Sequence, residues 1–286
     1  MTAPAPAPAP GPAPAPASVS ELGRAWRVAR TSALYEVLQP GRLIGALAQL
    51  ATQVFLVWCL WTALYEVVPI SAGLDQGQAV TYAVVGALYA RLRGPDRVAA
   101  RDTVLHHVRQ GSVVYWYLRP LAPRSYHWMR AVGDQAYGLA WTAAAFVVVL
   151  GLGVVQPPAS GAALAAFAVT TALGQVVLYQ LLALVDVACF WTINNGGVRA
   201  IVAFAQNLFA GAIAPLWFFP GWFQTLSGWL PFQTTLHVPL SFYIGRISTD
   251  QLGRDAAVQV VWIAALGVLL HLAWKRADAQ VVVQGG

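Results

Sequence analysis

The side chains that could do acid–base, nucleophilic or metal chemistry are few and scattered in this 286-residue chain. No Gly-x-Ser-x-Gly or His-Glu-x-x-His motif occurs, and the single lysine, Lys275, does not follow a glycine-rich phosphate loop. The sequence therefore predicts no catalytic, cofactor or metal site of its own. We interpret the histidines and cysteines as ordinary side chains; they are His106, His107, His127, His237, His271, Cys59 and Cys189.

Two acids lie at the borders of long apolar runs, Asp134 and Asp186. An acid inside a membrane helix is by default a functional candidate. Both positions are near the end of a run, where an ionised group costs little, so we favour a pairing or interfacial role. A proton-relay role for Asp186 is the alternative.

A charged segment, "PDRVAARDTVLHHVRQG" (95–111), has the residue pattern of a polar helix that ends at Gly111. Its charged residues Arg97, Arg101, Asp102 and Arg109 could fix the orientation of a docked protein, because surface charges set partner choice and register. The segment is thus predicted to be a docking helix. The alternative is an interfacial helix whose charged face is simply solvated.

The amino-acid composition indicates the environment in which these side chains lie. Apolar residues make up 58% of the chain and charged residues 10%, whereas soluble domains carry about 25% charge. The mean hydropathy is +0.59. These values predict an all-α, polytopic membrane protein, so we read the net charge of +6 as membrane orientation and not as a nucleic-acid surface.

Apolar runs long enough to cross a membrane, about 20 residues, occur five times. They are residues 43–68, 135–155, 161–185, 200–219 and 256–274. A sixth run, 79–92, is short. Fifteen of the seventeen Lys and Arg residues lie on one side if this run also crosses, with only Arg246 and Arg254 on the other. Because basic residues concentrate in cytoplasmic loops, we predict six helices with both termini in the cytoplasm.

The domain organisation follows from these spans. An Ala-Pro repeat, residues 1–17, predicts a disordered tail, and residues 18–42 predict an amphipathic interfacial helix with a capping box at Ser18 and Glu21. Residues 43–277 form the membrane domain, with a cytoplasmic coupling loop at 93–132. Residues 278–286 are a C-terminal tail.

The outer segment 215–245 within this domain is rich in aromatic residues and proline. Residues 214–232, "APLWFFPGWFQTLSGWLPF", include seven aromatic residues and three prolines, and no charge occurs from Ala200 to Gly245. Aromatic belts mark membrane interfaces, and each proline interrupts a regular helix. We predict short interfacial helices that are partly re-entrant. The alternative is an apolar loop that only covers the ends of the bundle.

Three motifs carry a resemblance to a known family. They are "VRQGSVVYWYLRPL" (108–121), "AGAIAPLWFFPGWFQTLSGWLPF" (210–232) and "HVPLSFYIG" (237–245). In their order and spacing they resemble the permeases of exporter-type (type 2) ABC transporters, including the bacterial branch related to drug and viologen export. The resemblance covers roughly residues 19–277.

The resemblance implies a half-transporter in the bacterial plasma membrane. Two permeases would pair as a homo- or heterodimer, and each would dock on a separate ATPase subunit that binds ATP-Mg. This agrees with the missing phosphate loop and with a docking role for residues 95–111. An amphipathic or lipid-like substrate would suit the weakly charged membrane segments. The alternatives are an ion-driven secondary carrier and a membrane scaffold without transport activity.

Overall fold

The computed structural model describes residues 23, 26–31, 40–67, 73–93, 104–118, 121–192 and 196–284. These residues form helices and connecting turns, with no strand among them. The Ala-Pro repeat lies outside the described residues. The predicted all-α class is thus confirmed for the part of the chain that the structure describes.

Within the described ranges, ten α-helices follow the helical residues 26–31, and their lengths differ widely. Four of them are long and apolar enough to cross a membrane: α1, α5, α6 and α10. The ten helices are α1 Pro40–Val67, α2 Gln76–Arg93, α3 Val104–Arg109, α4 Val114–Tyr117, α5 Pro123–Gly151, α6 Gly161–Val187, α7 Gly196–Phe209, α8 Gly221–Trp229, α9 His237–Tyr243 and α10 Leu252–Gln284.

Polar side chains cap the starts of α2 and α6, whose first residues the apolar pattern alone does not locate. Asp75 Oδ1 accepts a hydrogen bond from the Gln78 backbone N–H, and Gln78 Oε1 accepts one from the Asp75 N–H, so α2 begins with a reciprocal capping box. Ser160 Oγ accepts from the Ala163 N–H at the start of α6. Each cap satisfies backbone donors that the first helical turn leaves unpaired.

Helix α6 is the centre of the bundle. It packs along α10 and against α9 and the 3₁₀ turn Phe232–Thr235, whereas α1 packs mainly on α2. Half of the most apolar stretch of α6 is buried in the protein, but most of α1 is exposed. A membrane chain tolerates such exposure, since lipid tails are as apolar as the side chains they meet.

Contacts between loops define two ends of the bundle. At one end, the Gln156 N–H donates to Thr81 Oγ1, Tyr243 Oη donates to the Gln156 carbonyl, and Arg246 Nη1 donates to the Gly73 carbonyl. We call this the loop end. At the other end, α3 and α4 contact the start of α5 and the last turns of α6 and α10. We call this the platform end.

The helices differ from the predicted segments at three places. Helix α5 begins at Pro123, twelve residues before the predicted start, so it takes up the last part of the predicted loop 93–132. Helix α10 continues to Gln284 through most of the predicted tail, because residues after Trp274 still pack on the bundle, with Ala277 fully buried. The predicted span 200–219 is not one helix: α7 ends at Phe209, and a turn with Gly211 at φ +75° follows.

The predicted N-terminal helix is described only at residues 23 and 26–31, which are helical. Ala29 is buried against α5 at Gly133, where an added Cβ would lie 2.0 Å from the Ala29 carbonyl oxygen. Glycine at position 133 therefore permits this close approach. Trp26, predicted for the apolar side, is 66% exposed.

Candidate functional site: an anchored platform and an inserted segment

Helices α3 and α4 form a compact unit at the platform end. They are joined by a tight turn in which Gly111 has φ +67°, a conformation that favours glycine. His107 Nδ1 lies 2.8 Å from Ser112 Oγ, and the Val113 N–H donates to the His107 carbonyl. We call residues 104–118 the platform.

Buried aromatic and aliphatic side chains fasten the platform to the bundle. Trp116 is 1% exposed, and its ring lies 5.1 Å from that of His107 and 5.5 Å from that of Tyr126 at the start of α5. Trp116 and Val104 belong to one apolar cluster with residues of α6, α10 and the turn between α6 and α7. The platform therefore contacts three long helices, α5, α6 and α10.

A polar contact adds to this attachment. Tyr117 Oη donates to Asp278 Oδ1 of α10 at 2.7 Å. Burial first, and then the hydrogen bond to this carboxylate, raise the pKa of Tyr117 above its usual value, so the phenol stays protonated and remains a donor.

The outer side of the platform carries exposed apolar and basic groups. Tyr115 is 66% exposed and Leu118 is 75% exposed, and Arg109 and Gln110 are also exposed. Large apolar side chains together with an arginine are typical of protein interfaces. A firmly anchored unit with such an outer face is suited to transmit force between a bound protein and the membrane helices.

The predicted docking residues are only partly within the described structure. Arg109 ends α3 and is exposed. Arg97, Arg101 and Asp102 lie outside the described residues, so their docking role stays a prediction. The predicted helix 95–111 is seen as Val104–Arg109, with Gly111 in the turn as expected.

Asp186 lies in the last turn of α6 within a polar cluster. Its carboxylate accepts a short charge-assisted hydrogen bond from Arg199 Nη2 of α7, and its Oδ2 lies 3.5 Å from His127 Nε2 of α5. His127 Nδ1 in turn lies 3.1 Å from Tyr179 Oη. The cluster ties α5, α6 and α7 together, which is the geometry expected of a pairing role. Asp134, the other candidate acid, lies within α5 and is half-buried.

Residues 210–245 pass into the bundle; we call them the inserted segment. Its 3₁₀ turn Phe232–Thr235 lies against Gly174, at the middle of α6. Gln259 Nε2 donates to the carbonyls of Thr170 and Thr234 at 2.8 and 2.9 Å. Gln206 Nε2 donates to Thr235 Oγ1 at 2.7 Å. This position disagrees with a loop that only covers the ends of the bundle.

His237 begins α9 and is buried between aromatic side chains. Tyr82 Oη lies 3.0 Å from His237 Nδ1 and 3.1 Å from the Gly211 carbonyl oxygen. A phenol has one proton and a carbonyl only accepts, so the hydroxyl donates to Gly211 and the imidazole N–H donates to the hydroxyl. Trp217 packs on the imidazole, with ring centroids 4.3 Å apart. His237 therefore connects α2 to the inserted segment through Nδ1 and its ring face.

Comparison with known proteins identifies the family. A model of the ABC-2 family transporter proteins matches residues 50–285. This chain belongs to the ABC-2 transporter family. No curated protein and no solved structure gives a significant match. The match to the ABC-2 transporter model begins inside α1 and includes the platform, the Asp186 cluster and the inserted segment, so all three are parts of the family domain.

Sequence reasoning missed several contacts of this ABC-2 transporter chain. The bond from Tyr117 to Asp278 and the glutamine bonds of the inserted segment join residues far apart in the chain, which apolar periodicity does not pair. The glutamines within apolar helices could have indicated such contacts, because a buried amide needs hydrogen-bond partners. No group of three or more potential metal ligands occurs among the described residues.

Proposed function

We propose that this chain is the permease subunit of an ATP-driven exporter in the plasma membrane of a bacterium. Membership of the ABC-2 transporter family supports the assignment as a permease. The main support for a partner ATPase is the platform and its attachment to the bundle. A permease whose sequence has no phosphate loop needs a partner that binds and hydrolyses ATP-Mg. The anchored platform offers that ATPase a surface coupled to three membrane helices.

We further propose six crossings with both termini in the cytoplasm. Helix α2 has 18 residues and spans about 27 Å, close to the hydrocarbon thickness of about 30 Å. Helix α7 has 14 residues and spans about 21 Å, so it crosses only together with the inserted segment. In this arrangement the turn Phe232–Thr235 is re-entrant and lies near the middle of the membrane. Backbone at that depth is tolerated where protein covers it, as Gly174 and Gln259 do here.

Two such permeases pair in this proposal, as a homodimer or a heterodimer. The exposed apolar faces of α1 and α7 include Phe55, Leu60, Ile201 and Phe204, and they are available to a second permease and to lipid. An amphipathic or lipid-like substrate fits a chain whose described membrane helices contain so few charges. A secondary carrier and a non-transport scaffold are the competing functions, and the experiments below separate them.

The test of the docking surface is co-purification with a candidate ATPase, chosen as a protein with the P-loop motif from a neighbouring reading frame. Tyr115→Ala with Leu118→Ala should reduce ATPase recovery at least tenfold, because exposed apolar anchors at the centre of an interface carry much of its binding free energy. Reversing Arg97, Arg101 and Arg109 to Glu should also weaken association and uncouple ATP hydrolysis from export. The matched control is Trp222→Ala with Trp229→Ala; both tryptophans are similarly exposed but lie on α8 of the inserted segment.

Three results would contradict the proposal. ATP hydrolysis by the pure chain would show that no partner ATPase is needed. Equal recovery of the ATPase after both sets of platform changes would place docking elsewhere, with the N-terminal helix around Arg24–Arg30 as the next candidate. Transport driven by a pH gradient in vesicles without ATP would favour the secondary carrier.

A further inference from the structure

Helices α5 and α10 bring basic side chains together at the platform end, on a face away from the platform attachment. Arg124, in the first turn of α5, lies with its Nη1 3.0 Å from His271 Nδ1 of α10. A guanidinium only donates hydrogen bonds, so His271 Nδ1 is the acceptor in this contact. His271 thus holds the guanidinium in place without neutralising its charge.

Lys275 is a second cation on the same part of the surface as Arg124 and His271. Lys275 follows His271 by one helical turn, so the two side chains lie on the same face of α10, and both are exposed. Among the described residues, no carboxylate forms an ion pair with Arg124 or Lys275. The nearby acid of α10, Asp278, accepts a hydrogen bond from Tyr117 of the platform. Asp278 thus lies near Lys275 on α10 but is bonded to the platform, and it forms no ion pair with either cation.

The surface next to these cations, toward the middle of the bundle, is apolar and exposed. Val268 and Leu272 of α10 are 62% and 45% exposed, and Trp128, one turn from Arg124 on α5, is 37% exposed. Tyr179 of α6 packs edge-on against Trp128 with ring centroids 4.6 Å apart, which holds the indole in position. Cations therefore lie at one end of an apolar surface that continues into the membrane region of the helices.

This combination matches the chemistry of an anionic phospholipid. A phosphate accepts charge-assisted hydrogen bonds from a guanidinium and an ammonium, and acyl chains cover exposed aliphatic and aromatic side chains. Single basic residues at helix ends often reach the interface without binding anything defined. Here two helices contribute, the contacting residues are 147 positions apart in the chain, and the imidazole of His271 holds the guanidinium of Arg124 in place.

We propose that Arg124 and Lys275 bind the headgroup phosphate of an anionic phospholipid, whose acyl chains lie along Trp128, Val268 and Leu272. The site needs neither ATP nor the ATPase. The two cations select anionic over zwitterionic lipid, since a zwitterionic headgroup brings its own cation to the phosphate. The bound lipid covers the junction of α5 and α10 beside the platform.

The test uses the full chain in nanodiscs of phosphatidylcholine with a minor fraction of phosphatidylglycerol of the same acyl chains. After transfer to mild detergent, native mass spectrometry counts each lipid retained per chain. The wild-type chain should retain phosphatidylglycerol preferentially. Each cation near an anionic headgroup is worth about 1 kcal/mol, so Arg124→Gln and Lys275→Gln should each lower this retention roughly fivefold.

The matched control is Arg254→Gln, which removes an exposed arginine at the other end of α10 and should leave retention unchanged. Because the Lys275 side chain is exposed and has no ion pair among the described residues, Lys275→Gln tests the site without affecting folding. Equal retention of the two lipids by the wild-type chain, or wild-type retention by Lys275→Gln, would overturn the proposal. Displacement of the lipid by millimolar inorganic phosphate would instead assign the cations to a free anion and also overturn it.

Discussion

At the scale of single residues, the Asp186 cluster shows how this chain accommodates an acid at the border of an apolar helix. Arg199 supplies the opposite charge from α7, and His127 supplies a second contact from α5. Removing a charge from water is costly unless a partner compensates for it. The side chains of Asp186 and Arg199 are 23% and 18% exposed, so part of their hydration is kept and a full burial penalty does not apply.

Asp186→Asn should therefore lower stability and leave export intact apart from that loss. Removing one partner of a buried pair costs about 3–5 kcal/mol, and exposed pairs are worth about 0.2–1 kcal/mol; we expect about 1–3 kcal/mol for this partly exposed pair. Thermal or denaturant unfolding in detergent measures the change. The double variant Asp186→Asn with Arg199→Gln should be less destabilised than the two single losses added together, because Arg199 is then no longer left unpaired.

Glu66→Gln is the control for this experiment, since Glu66 is an exposed acid at the end of α1. It should change stability by no more than about 0.5 kcal/mol. A different outcome, loss of all transport in Asp186→Asn at unchanged stability, would indicate that the carboxylate carries protons. That result would support the secondary carrier over the exporter.

At the scale of elements, the inserted segment is held by amide groups and by one close backbone approach. Gln206 and Gln259 donate to the turn Phe232–Thr235 from α7 and α10, while Gly174 of α6 lets the turn come near. Backbone groups inside an apolar region must find partners within the protein. Gln259 satisfies that need for the Thr234 carbonyl, Gln206 adds a hydrogen bond to Thr235 Oγ1, and the absence of a Cβ at position 174 makes room for the Thr234 carbonyl.

Gly174→Ala should displace the inserted segment. The new Cβ would lie 2.6 Å from the Thr234 carbonyl oxygen and 3.1 Å from the Thr235 Cα, so the backbone must move. Overpacking of this kind costs about 1–3 kcal/mol, more than alanine returns in helix propensity. We expect a lower unfolding temperature and faster cleavage by chymotrypsin within residues 209–243. Chymotrypsin suits this range because aromatic residues are frequent in it, whereas Lys and Arg, the sites of trypsin, are absent.

Gly161→Ala in the same helix is the matched control, because nothing lies within 4 Å of a Cβ at that position. It should be neutral or slightly stabilising. Equal behaviour of the two variants would mean that the turn does not rest on α6 in solution.

The same elements show what the sequence could and could not predict. Long apolar runs located α1, α5, α6 and α10, since only helices bury their backbone polar groups in a membrane. The end of α7 was missed because hydropathy stays high through the turn at Gly211, so the apolar pattern does not distinguish a continuing helix from an inserted chain. Asp186 was recognised as an acid needing a partner. Its partners were not predicted, because His127 lies 59 positions away and helix packing alone brings it close.

At the scale of the whole molecule, the loop end and the platform end of the bundle differ in structure and in charge. At the platform end, α3 and α4 meet the last turns of α6 and α10. At the loop end, Arg246 is bonded to the Gly73 carbonyl and its guanidinium carbon lies 5.7 Å from the Trp217 ring centroid, so this cation serves a structural contact. Of the other basic residues that the structure describes, Arg254 lies at the loop end, whereas Arg109, Arg124, Lys275 and Arg276 lie at the platform end. Such an uneven distribution is typical of membrane proteins.

Cysteine labelling in intact cells should place the platform end in the cytoplasm. In a background with Cys59→Ser and Cys189→Ala, Asp75→Cys and Asp250→Cys at the loop end should react with an impermeant maleimide added outside. Ser112→Cys on the platform and Ala279→Cys near the end of α10 should react only after the membrane is permeabilised. If the proposed six crossings hold, fifteen basic residues lie on the platform side and two on the other, so the opposite orientation would be unfavourable during insertion. Outside labelling of Ala279→Cys together with protection of Ser112→Cys would mean an odd number of crossings between them, and would show that α7 with the inserted segment does not complete a crossing.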